Sequence, residues 1–276
     1  MYPHRNLISK SEKVLEAIKL LKSFGGRTSV TKFAKRFFNF SNLTPASAIL
    51  LVESLSRQDP RIVIKDGFVE LISLEKKNVK LSEAIFVVFD LEATEAKFPP
   101  GRIMEIGAYK IENGKLTDEF KTLVNPETPI APFVTGLTGI SQEMVEKSPK
   151  FSDIVLDLLK FIDDAILVAH NARFDFRLLN YEIGLVYKEY ELANQHLCTD
   201  RLSRKLLQLE NYRLQTIANY YSIKIENPHR ASDDALATAM IFMNLLKELE
   251  NLGIEDFESA KKLKIKQASK NSKNLV

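Results

Sequence analysis

Five consecutive apolar residues, Ile85-Phe86-Val87-Val88-Phe89, end abruptly in Asp90-Leu91-Glu92. A Val- and Phe-rich run with no polar break predicts a central strand covered on both faces, which already demands a layered fold. Alternate residues of a strand share a side, so Asp90 and Glu92 point together. Two ionised carboxylates beside an apolar run repel each other and resist burial. A divalent cation held between them resolves the conflict, and hard oxygen donors favour Mg²⁺ or Mn²⁺. Alone, an Asp-x-Glu pair is weak evidence, because most such pairs are solvated.

Two later stretches supply companions. Ala165–Ala169 reads as a second buried strand and runs into His170-Asn171-Ala172-Arg173-Phe174-Asp175. Asp175 then falls in the first turn of a helix over Arg173–Tyr187, where the positive end of the helix dipole favours an acid. The third stretch is His229-Arg230-Ala231-Ser232-Asp233-Asp234. With Ser232 as the expected N-cap, both acids enter the first turn of a helix to Leu249, and one of them need face inward. Each stretch by itself is compatible with a simple helix-start acid. Three acid clusters at strand ends and helix starts are harder to explain that way.

The rest of the chain frames this centre. Strands are expected near Arg102–Ile111 and Phe120–Val124, joined at Asn113-Gly114, with helices over Phe151–Ile162 and Tyr212–Tyr221. Hairpins first, then alternating strand and helix, imply a mixed α/β sheet with helices on its faces. Residues 1–80 read as a separate basic unit. Three helices are expected there, at Ser11–Ser23, Val30–Phe38 and Thr44–Ser56. An Asp66-Gly67 hairpin between Ile62–Ile64 and Phe68–Leu71 follows. That order resembles a winged-helix domain in pattern. The third helix carries no base-reading Arg or Asn. Lys32, Lys35 and Arg36 on the second could grip phosphate or be a solvated face. The domain boundary is placed in the connector Leu74–Leu81, which carries Lys76, Lys77 and Lys80. The body is expected to run from 81 to 255 and a basic, flexible tail from 256 to 276.

Charge follows the same division. Residues 1–80 hold 15 Lys and Arg against 7 Asp and Glu, residues 81–260 hold 18 against 29, and 261–276 hold 6 Lys and no acid. An acidic body with basic flanks suits a metal-dependent enzyme acting on an anionic substrate. No apolar run reaches 18 residues, and the amino terminus lacks an apolar signal region, so no membrane partner is expected. The single cysteine, Cys198, fits a reducing compartment, and a cytoplasmic protein is expected. His196-x-Cys198 is half of a zinc pair without its second half, which points to a structural role.

Phe89-Asp90-Leu91-Glu92, His170-Asn171-Ala172-Arg173-Phe174-Asp175 and His229-x4-Asp234 resemble the three motifs of the DEDDh superfamily of 3′→5′ exonucleases. The likeness spans roughly residues 83–249, with Ile103–Ala108 and Thr138–Ser141 as supporting stretches. Within the superfamily the body looks most like the proofreading epsilon subunits of bacterial replicative DNA polymerase III. The resemblance implies a ribonuclease H-like fold and removal of nucleotides from a DNA 3′ end beside a polymerase subunit. It further implies that Asp90, Glu92, Asp175 and Asp234 hold two divalent cations, Mg²⁺ or Mn²⁺, with His229 as general base. Leu91, Asn171 and Phe174 are expected to meet the substrate. Where family members often carry Thr-Thr-Gly after the second acid, this chain has Ala93-Thr94-Glu95. Two alternatives remain in view: a 3′→5′ exoribonuclease with the same chemistry, and a nucleic-acid-binding or docking protein acting through residues 1–80.

Overall fold

Ser11 ends the chain's first extended segment, β1 (Leu7–Ser9), by capping α1 (Glu12–Ser23), its hydroxyl accepting from the Val14 N–H. The computed structural model describes residues 2–75 and 79–264. β2 (Arg27–Ser29) leads into α2 (Val30–Phe38), capped by Ser29 and closed by Asn39 in the left-handed region. α3 (Pro45–Ser56) starts on Thr44, with Pro45 in its first turn, where a missing N–H costs nothing. β3 (Ile62–Lys65) and β4 (Phe68–Leu71) form the expected hairpin. Asp66 and Gly67 both have positive φ there, the conformation a two-residue hairpin turn requires. The three-stranded sheet β2-β4-β3 and the three helices enclose Leu21, Phe33, Val52, Leu55 and Ile62. Three residues are too few for a periodic signal, which is why β1 and β2 escape a reading of the sequence.

The body is built on β5 (Phe86–Ala93), β6 (Ile103–Glu112) and β7 (Lys115–Leu123), the last two joined by Asn113-Gly114. Next come α4 (Pro132–Thr138), α5 (Gln142–Glu146), α6 (Phe151–Ile162), β8 (Ile166–Ala169) and α7 (Arg173–Val186). β9 (Tyr190–Leu192), β10 (His196–Cys198), α8 (Thr199–Leu206), α9 (Leu214–Tyr220), α10 (Ala231–Asn251) and α11 (Phe257–Lys262) complete it. The sheet order is β10-β8-β5-β6-β7, with β5 parallel to β8 and antiparallel to β6. The α/β mixed sheet with flanking helices is therefore present.

Strand parity decides which face holds the acids. Val87, Phe89 and Leu91 pack with Phe151, Leu158, Phe176 and Leu179 of α6 and α7. Phe86 and Val88 pack on the other face, with Phe242 and Leu245 of α10. Asp90 and Glu92 continue the second series, so they project toward α10. Arg102 pins α7 to the start of β6 through the buried Glu182, at 2.7 and 3.0 Å.

The segment before α1 touches both the amino-terminal residues around Asp59 and the core beneath the five-stranded sheet. β1 pairs antiparallel with β9, and Leu7 is fully buried in the body's core. The Ser9 N–H donates to the Asp59 carboxylate at 2.8 Å, and Arg61 donates to Asp59 at 2.7 Å and to the Ser9 carbonyl at 3.2 Å. The Tyr190 hydroxyl adds a bond to the Gln58 carbonyl at 3.1 Å. The flexible tail expected from 256 needs correction for its first residues. Asp256 caps α11, and Phe257 and Ala260, three residues apart, are fully buried. Beyond 264 that tail lies outside the described residues, as do Lys76 and Lys77 of the connector. No helix among the described residues is long and apolar enough to cross a membrane.

Candidate active site

At the end of β5, the carboxylates of Asp90, Glu92 and Asp234 come together, with one oxygen from each within 4.8 Å of the others. The strand supplies two of them by parity, and the first turn of α10 brings the third against the sheet. Asp175, in the first turn of α7, stands outside that trio but close enough to act on it. The backbone amides of Asp175 and Leu91 lower its pKa, and its charge raises the pKa of both Asp90 and Glu92.

All four acids have their pKa raised from the ordinary carboxylate value. Burial pushes Asp90 well up, and the neighbouring Asp175 and Glu92 add to it. Burial and then Asp234 push Glu92 up to about 8, with Arg230 opposing. Burial lifts Asp175 to about 7 and raises Asp234, which hydrogen bonds restrain in both cases. Oxygen donors whose charges are so poorly compensated fit a hard divalent cation. A carboxylate whose folded pKa is raised stabilises the fold fully below its unfolded pKa and loses that contribution as pH rises through the folded value. Without metal, then, the site should destabilise the fold progressively from about pH 4 to about pH 8. Adding Mn²⁺ in place of EDTA should raise Tm more at the alkaline end, read by scanning calorimetry. An equal rise at both ends would argue against these acids as the metal's ligands.

The start of α10 is fixed by residues whose importance the sequence does not announce. Across the β5–β6 ladder, Asp90 faces Gly107 and Glu92 faces Glu105. A Cβ on Gly107 would lie 2.2 Å from the Ala231 carbonyl oxygen, so the missing side chain is what lets α10 touch the sheet. Glu105, buried, receives the Arg230 guanidinium at 2.8 to 3.2 Å and the Ala231 N–H at 2.8 Å. That bond from β6 replaces a local cap, so the helix begins at Ala231, with Arg230 at the N-cap position. Ser232, the expected cap, lies inside the first turn. Both acids still fall in that turn, but Asp233 accepts from Asn227 at 3.2 Å and only Asp234 joins the trio. A glycine and a glutamate two apart on the neighbouring strand were the available signal.

The remaining candidates divide. His229 is exposed beside the acids, with φ +64, and its N–H donates to Asp234 at 3.0 Å. Asn171, also in the left-handed region, lines a groove of about 970 Å³ with His229 and Asp234. Arg204, Tyr212 and Arg213 line it too, and sequence reasoning passed over all three. His170 also reaches the groove, and its ring bonds Thr199 at 2.9 Å. Phe174 meets Phe98 edge-on at 5.7 Å and stays partly exposed next to Asp175. Leu91 is a correction. Its side chain points away from the acids into the core, because strand alternation opposes it to Asp90 and Glu92. His196 and Cys198 sit on the edge strand β10, apart from the acids.

Comparison with known proteins agrees with this geometry. A family profile described as exonuclease, RNase_T, matches residues 87–242. The DNA polymerase III subunit epsilon of Aquifex aeolicus is 34% identical over 190 residues, covering 68% of this chain and 94% of the relative. The PolC-type DNA polymerase III of Caldanaerobacter subterraneus is 43% identical over 177 residues, 63% of this chain, and the chain spans only 12% of that polymerase's length. Among solved structures, the nuclease domain of 3′hExo, a DEDDh family member bound to rAMP, aligns with TM-score 0.54. It is 19% identical and covers 62% of this chain and 95% of that one, a likeness of fold. The five-stranded mixed sheet thus has the RNase H-like arrangement of such exonucleases.

Proposed function

The chain belongs to the RNase T-type exonuclease family, and on that premise we propose that it is a metal-dependent 3′→5′ exonuclease that trims mispaired DNA ends for a replicative polymerase. The observation carrying this reading is the meeting of Asp90, Glu92 and Asp234 at the head of an open groove. DNA is favoured as substrate because the epsilon and PolC-type relatives are DNA polymerase components.

Asp90, Glu92, Asp234 and Asp175 are the residues that would hold two divalent cations, Mg²⁺ or Mn²⁺. When bound, such cations neutralise phosphate charge and acidify water. His229 takes the proton from the attacking water. Its ring is reachable from solvent, and its backbone is tied to Asp234, which keeps the imidazole at the site's rim. Asn171 contacts the terminal nucleotide, and Phe174 with Phe98 forms an aromatic wall for its base. Phosphodiester hydrolysis needs charge compensation and an oriented water, so no serine or cysteine nucleophile is called for. Residues 1–80 are read as a winged-helix-like unit joined to the exonuclease body, which spans about 81–255.

The test uses 5′-labelled single-stranded DNA and RNA of one sequence, each with Mg²⁺ and with EDTA. A ladder shortening from the 3′ end on DNA, faster than on RNA and lost in EDTA, is expected. Preference for RNA would transfer the reading to RNA trimming. No cleavage of either, with Mn²⁺ also supplied, would remove the enzymatic reading.

A further inference from the structure

α2 buries Val30, Phe33 and Ala34 and turns Lys32, Lys35 and Arg36 to solvent. These three cations share one helix face, being spaced three and four residues apart. With Phe24, Ser29 and Thr31 they line an open pocket, and the Lys32 ammonium lies 5.1 Å from the centre of the Phe24 ring. Among the described residues, no ion pair engages any of the three. Like charges four apart destabilise a helix, as with Lys32 and Arg36. Lys32 also occupies the first turn, where the helix dipole favours an anion, and no acid is present there. The face therefore concentrates positive charge against local preference, beside two hydroxyls.

We infer that this α2 face grips the sugar–phosphate backbone of DNA without reading its sequence, a second contact apart from the acidic groove. The inference rests on the proposed nucleic-acid substrate and adds where the strand is held. The body carries 29 acids against 18 bases over residues 81–260 and so repels a polyanion, whereas residues 1–80 carry 15 bases against 7 acids. α3 does not compete for the role. Its most exposed large side chain is Leu50, at 69%, and it has no Lys, Arg or Asn to meet a phosphate or a base edge.

The experiment compares the full chain with its Lys32→Ala/Lys35→Ala/Arg36→Ala variant. All three positions are exposed in a helix, where alanine is the best helix former, so the fold is kept. Binding to a labelled DNA duplex with a 3′ single-stranded overhang is followed by anisotropy in EDTA over a range of KCl. Loss of three phosphate contacts should weaken binding at least about tenfold at 0.1 M salt and flatten the log–log salt slope by about 2.7. An unchanged slope with affinity within twofold overturns the inference, and capture of an acidic protein by wild type alone would then identify the face's true partner. Hydrolysis of the p-nitrophenyl ester of thymidine 5′-monophosphate, a single nucleotide, should be equal in the two proteins. Failure of wild type to hydrolyse it with Mn²⁺ would count against the active-site reading while leaving the binding comparison intact.

Discussion

Asp90→Asn is expected to lower exonucleolytic turnover by at least about 10³-fold while making the metal-free protein more stable at alkaline pH. Asparagine keeps the shape of the side chain and removes its charge. The proposed ligand set loses an anion, and phosphate charge is no longer offset where the reaction needs it. Stability should move the other way for a reason the site makes plain. Burial, Asp175 and Glu92 all oppose ionisation of Asp90, so at about pH 8 the wild-type fold is held back by a group that the variant lacks. Near pH 4, close to the unfolded aspartate value, the gap between the two should nearly close. Calorimetry in EDTA at both pH values, beside a nuclease assay in Mg²⁺, decides the matter. Turnover near the wild-type level would refute the assignment, and a variant less stable at pH 8 would show that Asp90 serves the fold instead.

The second large effect is expected at a residue with no side chain. In Gly107→Val, the new Cβ would sit 2.2 Å from the Ala231 carbonyl oxygen and 2.5 Å from the Ser232 nitrogen. Both neighbours are backbone and cannot rotate aside, so α10 must lift from the sheet. Overpacking of this kind costs about 1–3 kcal/mol of stability. Moving Asp234 by roughly 1 Å from Asp90 and Glu92 should cost about 10²-fold in turnover. Glu105→Gln provides the comparison, since it weakens the hold on Arg230 without pushing on the helix. It should lose far less activity than Gly107→Val, and the Mn²⁺ concentration giving half-maximal rate should rise in both. Wild-type metal dependence in Gly107→Val would show that the close approach of α10 does not position the acids.

How far the residues could be read alone depends on the range of the forces involved. The helices Val30–Phe38, Thr44–Ser56 and Phe151–Ile162 were legible because caps and apolar spacing act within a few residues. The Asp66-Gly67 and Asn113-Gly114 turns were legible because positive φ restricts the residue types tolerated. Pairing of Asp90 with Glu92 followed from strand parity. The short elements were not legible. β1 owes its existence to β9, more than 180 residues away along the chain, and β2 to β4. α11 is ordered by burial of Phe257, which no local pattern foretells.

By itself, then, the sequence determined the repertoire of acids, their placement at strand ends and helix starts, and the charge contrast between the two parts of the chain, since all of these are local or additive properties. Tertiary structure alone decided which acids meet. It selected Asp234 over Asp233, turned Leu91 into the core, and moved the start of α10 from Ser232 to Ala231. The physical reason is that each outcome depends on a partner distant in sequence. A missing Cβ at Gly107 opens space for α10, and a carboxylate on β6 caps that helix from outside it.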